Sequence, residues 1–263
     1  MYNNNYSKFE KNFINKGLII NKVEKKNALI YINEVIKKNL VKILKLNIKT
    51  KNFDLNKLHI YINERNINSV RLRLINAINK DTNFRNFFFK IAENMLTNVV
   101  GNELAMQNNI NLSIQIPNDE TSLLPIHSDT WSGDSPFESV LWVPMVNCYN
   151  TKSMFILNSK KIKIFNKIFS SKKIKSVSDL YKKFKKDLKF LKIKYGEYLL
   201  FNQNLPHGNL VNVTKETRVS LNCRFKGLFT PYSQKDLGSF FSPLKIRAAT
   251  KLGLEYKLPG ENN

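Results

Sequence analysis

The chain runs to 263 residues, 42% of them hydrophobic, which suits one large domain able to bury a sizeable core. No apolar run approaches the roughly 18 residues that a membrane-crossing helix needs. The opening MYNNNYSKFEKNF lacks the apolar core of a signal peptide, and Cys148 and Cys223 alone make no disulfide framework, so a reducing cytoplasm is the expected compartment.

The net charge of +23, from 43 Lys and Arg against 20 Asp and Glu, raises the question of a polyanionic partner. The excess is mostly lysine and follows no single motif. It travels with many Asn and Ile, residues that share A/T-rich codons. A scattered, solvated lysine surface is therefore expected over a nucleic-acid patch. No oligomeric state follows from the sequence.

In chain order, residues 1–16 read as a polar tail or short docking segment, and 17–100 as mainly helical support. Residues 28–46 carry Leu29, Ile32, Ile36, Leu40, Ile43 and Leu44 at the spacing of an amphipathic helix. Residues 66–79 and 83–100 read as two more helices, the second stopped by Gly101. Arg71 and Arg73, in the first of these, are assigned to the surface or to helix packing, and His59 to a structural role.

After Gly101 the texture changes to short β-rich runs broken by Gly, Pro, Asn or Asp: NLSIQI, LLPIHSD, SVLWVPMV, KSMFILN, GEYLLFN and TRVSLNCRF. They predict a jelly-roll or barrel over 101–229 rather than an α/β sheet. A lysine-rich insertion, 159–192, has a helix-like centre, VSDLYKKFKKDLKFL, that Ser178 would cap. It is either a lid over the barrel mouth or a solvent-exposed elaboration. The extension 230–263 carries one predicted helix near 243–252. A single domain accounts for the whole chain.

The chemistry concentrates in LLPIHSDTW and FNQNLPHGN. Residues two apart on a strand share a face, so His127 and Asp129 can chelate one ion together, with His207 as a distant third ligand. Two imidazoles and one carboxylate form the facial triad suited to ferrous iron, which leaves positions open for substrate and dioxygen. A catalytic zinc site uses the same donors. Downstream, TRVSLNCRF alternates, so that Arg218, Ser220, Asn222 and Arg224 share one face and Val219, Leu221, Cys223 and Phe225 the other. An arginine inside a barrel is costly unless it meets an anion. A guanidinium matches a carboxylate bidentately, and Ser220 can add a hydroxyl donor.

HSD, the distal His207 and the Arg-x-Ser of Arg218 and Ser220 resemble the Fe(II)/2-oxoglutarate-dependent dioxygenases. The strings GNELAMQ, LSIQIPNDE, HSDTWSGDSPFE, LWVPMVN and TKSMFIL are similar, more narrowly, to a bacterial group from carbohydrate-biosynthesis clusters, the oxygenase-like proteins of aminoglycoside pathways. The resemblance implies a β-rich α+β fold, a double-stranded β-helix core with helices packed outside. It implies Fe(II), 2-oxoglutarate and dioxygen as cofactor and co-substrates, with His127, Asp129 and His207 on the metal. Arg218 would pair with the far carboxylate of 2-oxoglutarate, helped by Ser220. Halogenating relatives lack the carboxylate ligand, so Asp129 favours hydroxylation or a desaturating or ring-closing variant of it. The implied substrate is a small polar metabolite such as a sugar or nucleotide-sugar precursor.

Residues nearby acquire expected roles on that reading. Gln115 contacts 2-oxoglutarate or the substrate, or makes a structural hydrogen bond. Asn147 and Ser153 donate to the co-substrate. Trp131 stacks on a sugar face or anchors its loop, and Ser135, Glu138, Asn209 and Arg224 are further substrate contacts. Asn204 and Asn209 flank His207 and are placed to orient it. The rival readings are a zinc- or manganese-dependent isomerase or hydrolase, a catalytically silent barrel binding a polyanion through its lysines, and an oxygenase acting on a macromolecule.

Overall fold

The N-terminal helices follow from apolar spacing and capping. A computed structural model describes residues 5–171 and 176–257. In place of a polar tail, Lys8–Lys16 forms a helix (α1). The Ser7 hydroxyl accepts from the Glu10 amide and the Glu10 carboxylate accepts from the Ser7 amide, a reciprocal capping box. Gly17 closes α1 with φ 71°, a left-handed turn in which a side chain would also meet Leu205. The chain then enters an edge strand, Leu18–Lys22 (β1), that the spacing did not announce.

Lys26–Ile43 (α2) buries Ala28, Leu29, Ile32, Ile36 and Leu40, each large aliphatic contributing roughly 1.5–3 kcal/mol of burial. Ile67–Lys80 (α3) buries Ile67, Val70, Leu74 and Ile78 on one stripe. The single helix expected over 83–100 is two, Phe84–Lys90 (α4) and Glu93–Val99 (α5). The break is stabilised from outside: the Glu24 carboxylate accepts from the Asn94 and Met95 amides, capping the restart.

Beyond Gly101 come Leu104–Gln107 (β2), Asn111–Gln115 (β3), Ser139–Pro144 (β4) and Phe155–Leu157 (β5). The insertion follows as Ile162–Ser170 (α6) and Val177–Phe184 (α7). Its helix is shorter than the sequence suggested, because residues 188–190 form a strand, Leu188–Phe190 (β6), beside β5. The cap of α7 is Ser176, not Ser178. Glu197–Asn202 (β7), His207–Gly208 (β8) and Arg218–Gly227 (β9) complete the core. The helix expected near 243–252 is displaced by a strand, Phe241–Lys245 (β10), and begins only at Ala248–Glu255 (α8). Pro243 is tolerated there because β10 is an edge strand with an irregular register.

Among the described residues the strands form two antiparallel sheets, the double-stranded β-helix arrangement. The larger runs β1-β7-β4-β9-β2-β10, with β3 also on β9, and the smaller runs β6-β5-β8. In the larger sheet the face carrying Leu141, Val143, Leu200, Leu221 and Phe225 joins the helical core, and the face carrying Val140, Trp142, Phe201 and Arg218 lines a cavity toward the smaller sheet. Burial on both faces explains why β4 reads as an unbroken apolar run. His59 has the structural position expected: its amide donates to Thr217 Oγ1 and its Nδ1 lies 3.0 Å from that oxygen. No helix among the described residues is long and apolar enough to cross a membrane.

Candidate active site

Two histidines are brought face to face by backbone pairing. LLPIHSD is not a regular strand: Ser128 is extended (φ −119°, ψ 135°), and Asp129 opens a one-turn helix, Asp129–Ser132. His127 still exchanges two backbone bonds with His207, amide to carbonyl, at 2.9 and 2.8 Å. The rings stand 4.4 Å apart between centroids. The helical turn swings the Asp129 carboxylate under both: Oδ1 lies 3.4 Å from His127 Nε2 and 3.7 Å from His207 Nε2. One ligand atom from each of the three lies within 4.8 Å of the others.

The tautomers are set locally. His127 Nδ1 lies 2.7 Å from the Pro125 carbonyl, and His207 Nδ1 lies 2.8 Å from the Leu205 carbonyl. A carbonyl only accepts, so each Nδ1 carries the hydrogen and each neutral ring turns an Nε2 lone pair toward Asp129. The second carboxylate oxygen, Oδ2, is taken by Arg224 Nη2 at 3.2 Å, so Asp129 offers one oxygen.

Arg224 is itself fixed, with Nε 3.1 Å from Asp134 Oδ1 and 3.2 Å from Gln203 Oε1. Lys235 braces Asp134 at 2.6 Å. The expectation of Arg224 as a substrate contact is thereby corrected: it lines the cavity, but its guanidinium is committed to Asp129. This positioning role, and those of Asp134 and Gln203, escaped the sequence reading.

Electrostatics hold Asp129 and His207 in ligand form and favour a proton on His127. Burial alone would raise the Asp129 pKa, but the hydrogen bond that a protonated His127 donates from Nε2, with the charges of His207, Arg224 and His127, outweighs it and brings it to about 2. Burial pushes His207 down to about 4 against the pull of Asp129. For His127 burial also opposes protonation, yet the bonds to Asp129 and Pro125 outweigh it and raise its pKa above that of an ordinary histidine.

Arg218 lies in the same cavity and is 3% exposed. Nη2 donates to Ser113 Oγ at 2.9 Å, while Nε and the nearby Ser220 Oγ, both buried, have no partner. No carboxylate pairs with Arg218 among the described residues. Its neighbour Cys148 is a neutral thiol, because burial raises that pKa to about 12. Ser113, opposite Ser220 across the β3–β9 ladder, was not foreseen as the guanidinium's partner.

The cavity measures about 560 Å³ and is walled by the triad, Arg218, Asn222 and Arg224 on its polar side and by Val140, Trp142, Met154 and Phe201 on its apolar side. Asn209 is on the wall, and its side chain accepts from the Leu124 amide at 2.6 Å, holding the 122–124 loop rather than His207. Gln115, Ser153 and Ser220 are buried with a side-chain oxygen unpartnered, but are not on the wall; Gln115 Nε2 donates to the Leu210 carbonyl.

Other expected contacts lie elsewhere. Asn147 lines a different cleft, beside Asn33 and Lys37, and accepts from the Tyr195 amide. Trp131 stacks on Phe169 of α6, with 4.3 Å between ring centroids, and is not on the wall. Ser135 donates to the Pro231 carbonyl and Glu138 accepts from the Ser135 amide, so both are buried supports behind Arg224. Asn204 donates to the Pro136 carbonyl, away from His207. No described residue of the insertion lines the cavity.

Gly208 shows how tightly this wall is built. A Cβ there would sit 2.7 Å from the Leu124 carbonyl oxygen, 2.8 Å from Phe155 and 3.0 Å from the Pro125 backbone. Gly208→Ala is expected to push away the segment that orients His127 and to cost about 1–3 kcal/mol in a denaturant melt. An unchanged midpoint would mean that the segment yields freely.

The sequence matches no family model and no curated protein. The fold has solved relatives. It is similar to apo EctD from S. alaskensis (TM-score 0.57, 12% identity, covering 88% of this chain and 81% of that chain). It is also similar to SnoK, a non-heme alpha ketoglutarate dependent carbocyclase from nogalamycin biosynthesis (0.52, 10%, 84% and 84%). A third is the non-heme monooxygenase ThoJ in apo form (0.52, 12%, 91% and 83%). At such identities the likeness establishes a shared double-stranded β-helix fold.

Proposed function

We propose that the protein is an Fe(II)/2-oxoglutarate-dependent oxygenase that hydroxylates a small polar metabolite, a carbohydrate precursor being the favoured class. The observation that carries this is the pairing, in one cavity, of a His-Asp-His cluster with a buried arginine that lacks an anion. The donor set fits ferrous iron: two fixed Nε2 lone pairs and one carboxylate oxygen leave the rest of the coordination sphere free. The orphaned Arg218 Nε fits a carboxylate-bearing co-substrate. Solved relatives named for a bound Fe and for 2-oxoglutarate with 5-hydroxyectoine lend support on the side of the fold.

When bound, iron and 2-oxoglutarate supply the oxidising chemistry: dioxygen, 2-oxoglutarate and R–H become succinate, CO2 and R–OH. The protein's own groups bind and orient. His127, Asp129 and His207 hold the metal, Arg224 keeps Asp129 to a single ligand oxygen, and Arg218 with Ser113 holds the distal carboxylate. Trp142, Met154 and Phe201 exclude water from one side. The amides of Asn111 and Asn222 suit a hydroxyl-rich substrate. The test is conversion of 2-oxoglutarate to succinate by wild type with Fe(II) and oxygen, lost in His127→Ala. No turnover in folded, iron-loaded wild type would end the proposal.

The titrations give a further expected result. His127, whose pKa is raised above that of an ordinary histidine, must shed a proton to bind metal below that pKa, whereas His207 and Asp129 are already in ligand form well below neutrality. Metal affinity is expected to fall with unit slope as pH drops through the His127 pKa and to be level above it. A two-proton slope near neutral pH would contradict this.

A further inference from the structure

We infer that the cavity selects a substrate bearing an anionic group, a carboxylate or a phosphate ester on a polyol, and that Arg71 is the residue that recognises it. The inference rests on the oxygenase reading, because that reading assigns Arg218 to 2-oxoglutarate.

Three arginines line the cavity, Arg71, Arg218 and Arg224, and Asp129 is the one acidic residue there among the described residues. Arg224 is consumed by Asp129 and Asp134. Arg218 is taken by the co-substrate. Arg71 is left over. Its one hydrogen bond runs from Nη2 to Asn68 Oδ1 at 2.7 Å, an amide that orients the guanidinium and leaves its charge uncompensated. Its other donors are free for a ligand. The position is half-buried, unlike Arg73 two residues on, which is exposed and off the wall. Arg71 keeps the surface-side position the sequence suggested, with its bond to Asn68 exposed, and lines the cavity as well.

The surroundings strengthen the charge. Leu72 and Ile75 of α3 and Leu123 and Leu124 of the facing loop also line the cavity, so Arg71 acts beside apolar walls that focus its field. Leu72 and Leu124 are 52% and 54% exposed, an apolar rim that a bound substrate would cover. Asn111 donates to Asn222 at 3.1 Å, which leaves one amide oxygen and one amide nitrogen free for hydroxyl groups. The demanded ligand is therefore hydroxyl-rich, with one negative end.

The test uses protein loaded with Ni(II) and saturated with 2-oxoglutarate, so that Arg218 is filled, titrated calorimetrically at fixed ionic strength with glucose 6-phosphate, gluconate and glucose. Wild type is expected to bind at least one anionic probe at least about tenfold tighter than glucose; which one distinguishes phosphate from carboxylate. Arg71→Gln is expected to erase that preference and Arg71→Lys to keep part of it. Arg73→Gln, with the same loss of charge on the same helix, is expected to retain it. Equal binding of the three probes, failure of both anions to bind, or an equal loss in Arg73→Gln overturns the inference. Failure of the nickel-loaded protein to take up 2-oxoglutarate instead overturns the oxygenase reading beneath it.

Discussion

Asp129→Ala is expected to lower iron affinity by more than ~100-fold, beyond the 10–100-fold typical of losing an outer partner of a metal site. Asp129 supplies the one anionic donor, and its Oδ1 lies between the two Nε2 atoms. Without it two neutral imidazoles remain, with Arg224 facing the ion unshielded. Folding should survive, because Arg224 keeps Asp134 at 3.1 Å and Gln203 at 3.2 Å. Metal titration beside a circular-dichroism melt separates the two effects. Wild-type iron affinity in a folded Asp129→Ala protein would remove Asp129 from the site.

Arg218→Met carries the second large effect, and its two consequences have opposite signs. Binding of 2-oxoglutarate should weaken at least ~30-fold, since removing one side of a buried charge pair costs about 2–5 kcal/mol. Metal binding should be unaffected, because Arg218 makes no contact with the triad in the hydrogen bonds and ion pairs of the site. The ligand-free protein, by contrast, should gain stability, on the order of 1 kcal/mol. Wild type there carries a buried guanidinium with one serine for a partner, and an apolar side chain of similar length removes that desolvation cost. Calorimetry with 2-oxoglutarate and a denaturant melt without it read the two signs. A loss of several kcal/mol in the melt would make Arg218 a structural strut instead of an anion receptor.

Much of the architecture could be read from residue spacing. The stripes of α2 and α3 follow from their apolar positions, and the alternation in β9 separates Arg218, Ser220, Asn222 and Arg224 from the Val219, Leu221, Cys223 and Phe225 face. What escaped depended on distant partners. The break between α4 and α5 is held by Glu24, about seventy residues upstream. β1 and β10 are short edge strands whose pairing, not whose composition, makes them strands. The same division holds at the site. That His127, Asp129 and His207 converge was legible, although through a helical turn instead of a strand. The Arg224–Asp129 pair was not, because it requires β9 to pass behind that turn. Asn147 failed because a residue in a turn between strands can face either way, and it faces Tyr195. Arg71 reaches the cavity because α3 packs on β3, which no local pattern reveals.

The most direct measurement is the visible spectrum of metal-free protein given Fe(II) and then 2-oxoglutarate without oxygen. Wild type is expected to show an iron-to-ketoacid charge-transfer band, absent in His127→Ala and reached in Arg218→Met only at far higher 2-oxoglutarate. A folded wild-type protein that binds iron and shows no band at saturating 2-oxoglutarate would contradict the proposed function.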